Sequence, residues 1–99
     1  MAVTKNYRVD GTDDYTIKYE EKGWLSPTYK ITCTRHPHNP RSNSVNDCHL
    51  YSSGEVCVAA GKEPKSLDKA KAIGMAFCEG YSQYVRTGKF PNGRKRVNV

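Results

Sequence analysis

The sequence has no long apolar run. Nothing in it approaches the roughly 20 apolar residues that span a bilayer, and the opening Met1-Ala2-Val3-Thr4-Lys5-Asn6 lacks the apolar core of a secretory signal. We therefore expect a soluble, cytoplasmic protein with no membrane partner. Its four cysteines, Cys33, Cys48, Cys57 and Cys78, are then expected to be reduced, which leaves free thiols or metal ligands as their readings. Paired C-x2-C knuckles are absent, so no regular zinc module is written into the chain. Internal repeats are absent too. Acidic residues run short towards the end: residues 1–61 carry seven Lys/Arg against seven Asp/Glu, whereas residues 62–99 carry nine against three. The net charge of +6 is thus a C-terminal property. A basic end of this kind steers encounters with nucleic acid, an anionic surface or an acidic partner without choosing between them.

What is present suits one small domain. With 99 residues, 36% hydrophobic and 26% charged, the chain is on the polar side of globular, yet seven Tyr, two Phe and one Trp supply aromatic bulk for a core. A chain of this size buries only about 60–70% of its unfolded surface, so there is no room for a second core. We expect a single α+β domain over residues 1–92 and a basic tail over residues 93–99.

Apolar residues recur at period two at Tyr7 and Val9, at Tyr15, Ile17 and Tyr19, and at Tyr29, Ile31 and Cys33, which predicts three strands with one buried face each. The gaps between them, Asp10-Gly11-Thr12-Asp13-Asp14 and Lys22-Gly23 with Ser26-Pro27, have turn chemistry and are too short for a parallel crossover. The expected sheet is a short antiparallel meander. From His36 to Asp47 the composition (HPHNPRSNSVND) predicts an irregular loop, and loops this long are functional or mobile. A tight turn around Ser53-Gly54 follows, running into an extended segment. Ser66 is an expected N-cap. From there Leu67, Ala70, Ile73, Phe77, Tyr81, Tyr84 and Val85 form one helical stripe that Gly88 closes. Gly74 and Gly80 inside it predict either close packing on the sheet or a break into two shorter helices.

The candidate chemistry centres on His49-x7-Cys57 with Gly54 between them. If Val56 and Val58 face the core, pleat alternation turns Cys57 outward, as an accessible thiol. A free cysteine with a pKa near 8.5 is a few per cent thiolate at neutral pH, enough for transthiolation beside a donor thioester. A small buried strand residue is the alternative role for Cys57.

Tyr29-Lys30-Ile31-Thr32, then His49-Leu50-Tyr51-Ser52-Ser53-Gly54-Glu55-Val56-Cys57-Val58, then Gly80-Tyr81-Ser82-Gln83-Tyr84-Val85-Arg86-Thr87-Gly88-Lys89-Phe90 resemble the bacterial ubiquitin-conjugating-enzyme-like proteins. The resemblance covers roughly residues 28–91. It implies a fold of the ubiquitin-conjugating type, with Cys57 as the thioester-forming cysteine and His49 as the histidine that holds the active-site turn. The implied partners are a ubiquitin-like modifier and an activating enzyme. Tyr51 stands where the eukaryotic pattern has an oxyanion-supporting Asn, which leaves that role to a backbone N–H or to Asn46. The chain is also shorter than such domains, and no N-terminal helix precedes the strands. A version that keeps the fold and binds protein without catalysis is equally compatible with these residues.

Two other readings stay open. Cys33, His36, His38, Cys48, His49 and Cys57 lie within 25 residues and offer zinc a set to choose from, although adjacent Cys48 and His49 suit one ion poorly. Arg94, Lys95 and Arg96 are candidate phosphate-binding residues of a small nucleic-acid-binding protein, with Tyr81 and Tyr84 as stacking surfaces unless their helical spacing places them in the core. Neither the residues nor the resemblance calls for a cofactor.

Overall fold

Turn chemistry and strand alternation together set the first third of the chain. In the computed structural model, which describes residues 2–23, 25–58 and 61–91, three strands run Ala2–Val9 (β1), Asp13–Lys22 (β2) and Thr28–Arg35 (β3). They form an antiparallel sheet in the order β1-β2-β3. Asp10 and Gly11 both take left-handed φ, 54° and 73°, so the chain reverses tightly and Thr12 N–H reaches the Val9 carbonyl at 3.1 Å. Asp-Gly is the pair that tolerates such a turn best. Register follows from the pleat: Tyr7 lies opposite Tyr15, Tyr19 opposite Ile31 and Ile17 opposite Cys33, which gathers the apolar side chains on one face.

That face is covered by one helix, Leu67–Thr87 (α2). Ser66 caps it by accepting the Lys69 N–H at 3.2 Å, and Gly88, at φ 84°, ends it by donating to the Tyr84 carbonyl at 2.7 Å. Of the two alternatives at Gly74 and Gly80, close packing is the one found, and α2 is continuous through both. Two interior glycines cost about 2 kcal/mol together. Burying Phe77 and Tyr81 returns about 3–6 kcal/mol, so the unbroken helix wins. The glycines serve close approach: a Cβ at Gly74 would run into the Tyr19 hydroxyl, and one at Gly80 into the Phe90 ring.

Tyr15, Ile17, Tyr19, Ile31 and Cys33 of the sheet meet Ala70, Ile73, Phe77, Tyr81 and Tyr84 of α2 in a single buried cluster. Tyrosines carry much of this core, so their hydroxyls need partners. Tyr15 pairs with Ser82 at 2.7 Å and Tyr19 with Tyr7 at 2.8 Å. Burial pushes both Tyr15 and Tyr19 phenols well above the ordinary tyrosine range, which keeps them neutral.

The long loop differs from expectation at its end, where Val45–Cys48 forms a single helical turn (α1). Before that turn the loop is strapped to the end of α2. Arg41 donates to the carbonyls of Val85 at 3.2 Å and Arg86 at 2.8 Å, and the Tyr84 hydroxyl donates to the Ser42 carbonyl at 2.8 Å. The Val85 and Arg86 carbonyls are among those that a helix C-terminus leaves without intrahelical donors. Among the described residues, no helix is long and apolar enough to cross a membrane.

Candidate functional site

The segment after α1 builds the candidate site as a small hairpin laid along β3. His49 ends α1 in the left-handed conformation, φ 62°, with its N–H on the Val45 carbonyl at 3.0 Å. The chain then extends through Leu50 and Tyr51, turns, and returns through Glu55, Val56 and Cys57. Tyr51 N–H bonds the Glu55 carbonyl, and Cys57 N–H bonds the His49 carbonyl, both at 2.9 Å. His49 and Cys57, eight positions apart in sequence, thus face each other across one main-chain ladder. Gly54 makes the turn possible at φ 96°, with the position of its absent Cβ only 3.0 Å from the Cys33 carbonyl. Two bonds then fix the hairpin to the sheet: Cys33 N–H to the Gly54 carbonyl at 2.7 Å and Val56 N–H to the Ile31 carbonyl at 2.9 Å.

The expected outward cysteine is not found. Cys57 is 3% exposed, as buried as its neighbour Val56. The physical reason is the hairpin's own fold. Tyr51, 42% exposed, lies on the strand opposite and places its hydroxyl 3.5 Å from the Cys57 thiol, so the side that pleat alternation turns away from the core is roofed by a phenol. His49 is fully buried, with its ring centre 4.2 Å from that of Phe90, which comes from beyond α2 and is seated on Gly80. Its place in the turn suits a structural part. Asn46 is exposed on α1 and makes no hydrogen bond among the described residues.

The other thiols are buried as well. Burial pushes Cys33 up to about 11 and Cys78 higher still, and it also raises Cys48. Cys33 donates to the Arg35 carbonyl at 3.2 Å and Cys48 to the Leu50 carbonyl at 3.5 Å. His36 instead lies on Tyr81, ring centres 5.1 Å apart, and bonds the Pro37 carbonyl at 2.8 Å. Among the described residues no three His, Cys, Asp or Glu side chains gather as metal ligands, so the zinc reading gains no geometric support.

Of the candidate nucleic-acid residues, Arg94, Lys95 and Arg96 lie outside the described residues. Tyr81 and Tyr84 are core residues and are not available for stacking on bases. Sequence reasoning also missed two residues that shape the site, Phe90 over His49 and Arg41 over the end of α2. Their partners lie about forty positions away, and no local pattern marks either contact. Compared with protein-family models, with curated protein sequences and with solved structures, the chain matches none.

Proposed function

We propose that this domain is a ubiquitin-conjugating-like module that acts by binding protein partners, in a version where the turn cysteine carries no thioester in the resting state. The observation that carries this reading is the burial of Cys57 beneath Tyr51. Transthiolation needs a thiolate within about 3–3.5 Å of the donor carbonyl carbon, aligned for attack. A thiol 3% exposed and roofed by a phenol offers no such approach. Supporting the kinship, rather than the activity, is the succession of antiparallel meander, His-to-Cys hairpin and late helix ending in Thr87-Gly88-Lys89, which follows the pattern the resemblance implies.

The test is the rate at which iodoacetamide and a small peptide thioester modify Cys57 in the folded protein, read by mass spectrometry against Cys57→Ala. We expect modification at least a hundredfold slower than for a free thiol at the same pH. Tyr51→Ala removes the roof and is expected to raise the rate at least tenfold while the protein stays folded. A native Cys57 that reacts at the free-thiol rate, or that takes the acyl group from the thioester, would restore the catalytic version.

A further inference from the structure

On the other side of the molecule, β1 and α2 do not close on each other. Two adjoining concavities, of about 290 and 330 Å3, lie between them and share Val9, Asp10 and Glu79. Tyr7 and Met75 line one end and Asp10 pairs with Arg86 at the other, so strand and helix advance side by side in the same sense. The result is one trough. Its apolar end holds Met75, 51% exposed, next to the half-buried Tyr7 and Val9. One wall is an edge strand: among the described residues β1 has β2 as its only strand partner. In an antiparallel pair every second residue turns its N–H and C=O away from the partner, so β1 offers a row of main-chain donors and acceptors along the trough.

The charges say what fits. Arg86 is held between Asp10 at 3.1 Å and Asp13 at 2.8 Å, and Arg8 is gripped by Asp14 at 2.7 and 3.2 Å. Their guanidiniums are therefore matched. Glu79 makes no ion pair among the described residues and is exposed at the middle of the trough. This is unmatched negative charge in a protein of net charge +6. At physiological ionic strength fields decay over about 8 Å, so a ligand side chain seated at Glu79 responds to that carboxylate more than to charges further away. Pairing β1 with a second copy has two symmetric registers near the middle of Ala2–Val9: one sets Lys5 against Lys5, a like-charge pair that destabilises, and the other sets Asn6 against Asn6, so a second copy is the competing occupant, which the test below separates.

We propose that this trough binds an extended basic segment of a partner protein, which adds as a strand to the open edge of β1 with an apolar side chain on Met75 and a lysine or arginine at Glu79. The spacing is consistent with that occupant. Met75 and Glu79 are one helical turn apart, about 6 Å along the axis, and alternate residues of a strand are about 6.8 Å apart. Strand addition of this kind takes affinity from the main chain and selectivity from alternate side chains. The proposal extends the protein-binding reading above but uses no residue of the 49–57 hairpin, so the alkylation result and the result below stand or fall separately.

The experiment is a titration of the full chain with a labelled peptide, Lys-Thr-Val-Thr-Val-Thr-Lys, followed by fluorescence anisotropy and by amide shifts in NMR. Its comparators are the same peptide flanked by Glu and a version N-methylated at alternate residues. Exposed ion pairs of this type change affinity about two- to fivefold each. The Lys-flanked peptide is expected to bind at least threefold more tightly than the Glu-flanked one, with shifts confined to residues 2–10 and 75–87. Glu79→Lys reverses that preference, Met75→Ser weakens both peptides, and N-methylation abolishes binding. Both positions are exposed, and unchanged circular dichroism is the check on folding. Equal binding of the two peptides, full binding of the N-methylated one, or shifts elsewhere would overturn the proposal. So would a concentration-dependent dimer with β1 at its interface, which assigns the edge to a second copy.

Discussion

The two edges of the sheet are finished differently. Along β3, the chain returns to cover its own edge: Gly54 and Val56 bond to Cys33 and Ile31, and Tyr29 N–H reaches the Pro64 carbonyl at 3.0 Å. Along β1, the described residues add nothing beyond β2. The covered edge holds the turn that the resemblance points to, with Cys57 buried in it. Among the described residues, the open edge keeps its main-chain groups, an exposed methionine and an unmatched carboxylate. A small domain that closes one edge with its own loop has the other left for contact, and here the edge with the suggestive motif is the closed one.

The comparison can be broken most forcefully at Gly54. Gly54→Val meets a left-handed backbone and the Cys33 carbonyl at once, and we expect a loss of about 2–4 kcal/mol in urea unfolding. It is also expected to free the hairpin from β3 and accelerate alkylation of Cys57. Next is a pH effect from beneath the closed edge. Cys33 titrates near 9 when unfolded and is pushed by burial to about 11 when folded, so between those values the unfolded state sheds protons first. Stability is therefore fully present below pH 9 and lost as pH rises towards 11, by an amount on the order of 2 kcal/mol. Tyr81, raised by burial to about 12, extends the loss upwards. Unfolding midpoints measured at pH 8 to 11 read this directly, and Cys33→Val is expected to make the first part of the curve shallower, the remaining slope coming from Cys78 and Cys48, which burial also raises.

Smaller effects sharpen the contrast. Arg41→Ala removes two charge-assisted bonds to the end of α2 at an exposed position, with an expected loss of about 1 kcal/mol and faster amide exchange over residues 36–44. Lys5→Thr on the open edge should leave stability within about 0.5 kcal/mol, since it is exposed, yet favour self-association in sedimentation at high protein concentration. A monomer at all concentrations would show that Lys5 is not what keeps β1 from pairing with itself.

The elements with short-range causes were legible from composition and spacing. Alternation at residues 7–33 and the Asp-Gly turn set three strands and their order, and Ser66 and Gly88 mark both ends of α2, because caps and turns act within four residues. The two readings left open at Gly74 and Gly80 were separated only by Tyr19 and Phe90, whose side chains occupy the space that a Cβ would need. At Cys57, alternation foretold a side chain turned away from the core, but alternation is blind to what stands on that side.

By itself, then, the sequence determined a basic α+β chain with an antiparallel meander, a capped late helix and a tight turn at Ser53-Gly54, all consequences of local periodicity and turn chemistry. Tertiary structure alone decided that the thiol is roofed by Tyr51, that Phe90 lies on His49 and Arg41 straps the loop to the end of α2, and that Met75 and Glu79 overlook a strand left open among the described residues. Those outcomes depend on which distant surfaces meet when helix and loop are laid on the sheet, and no pattern confined to neighbouring residues carries that information.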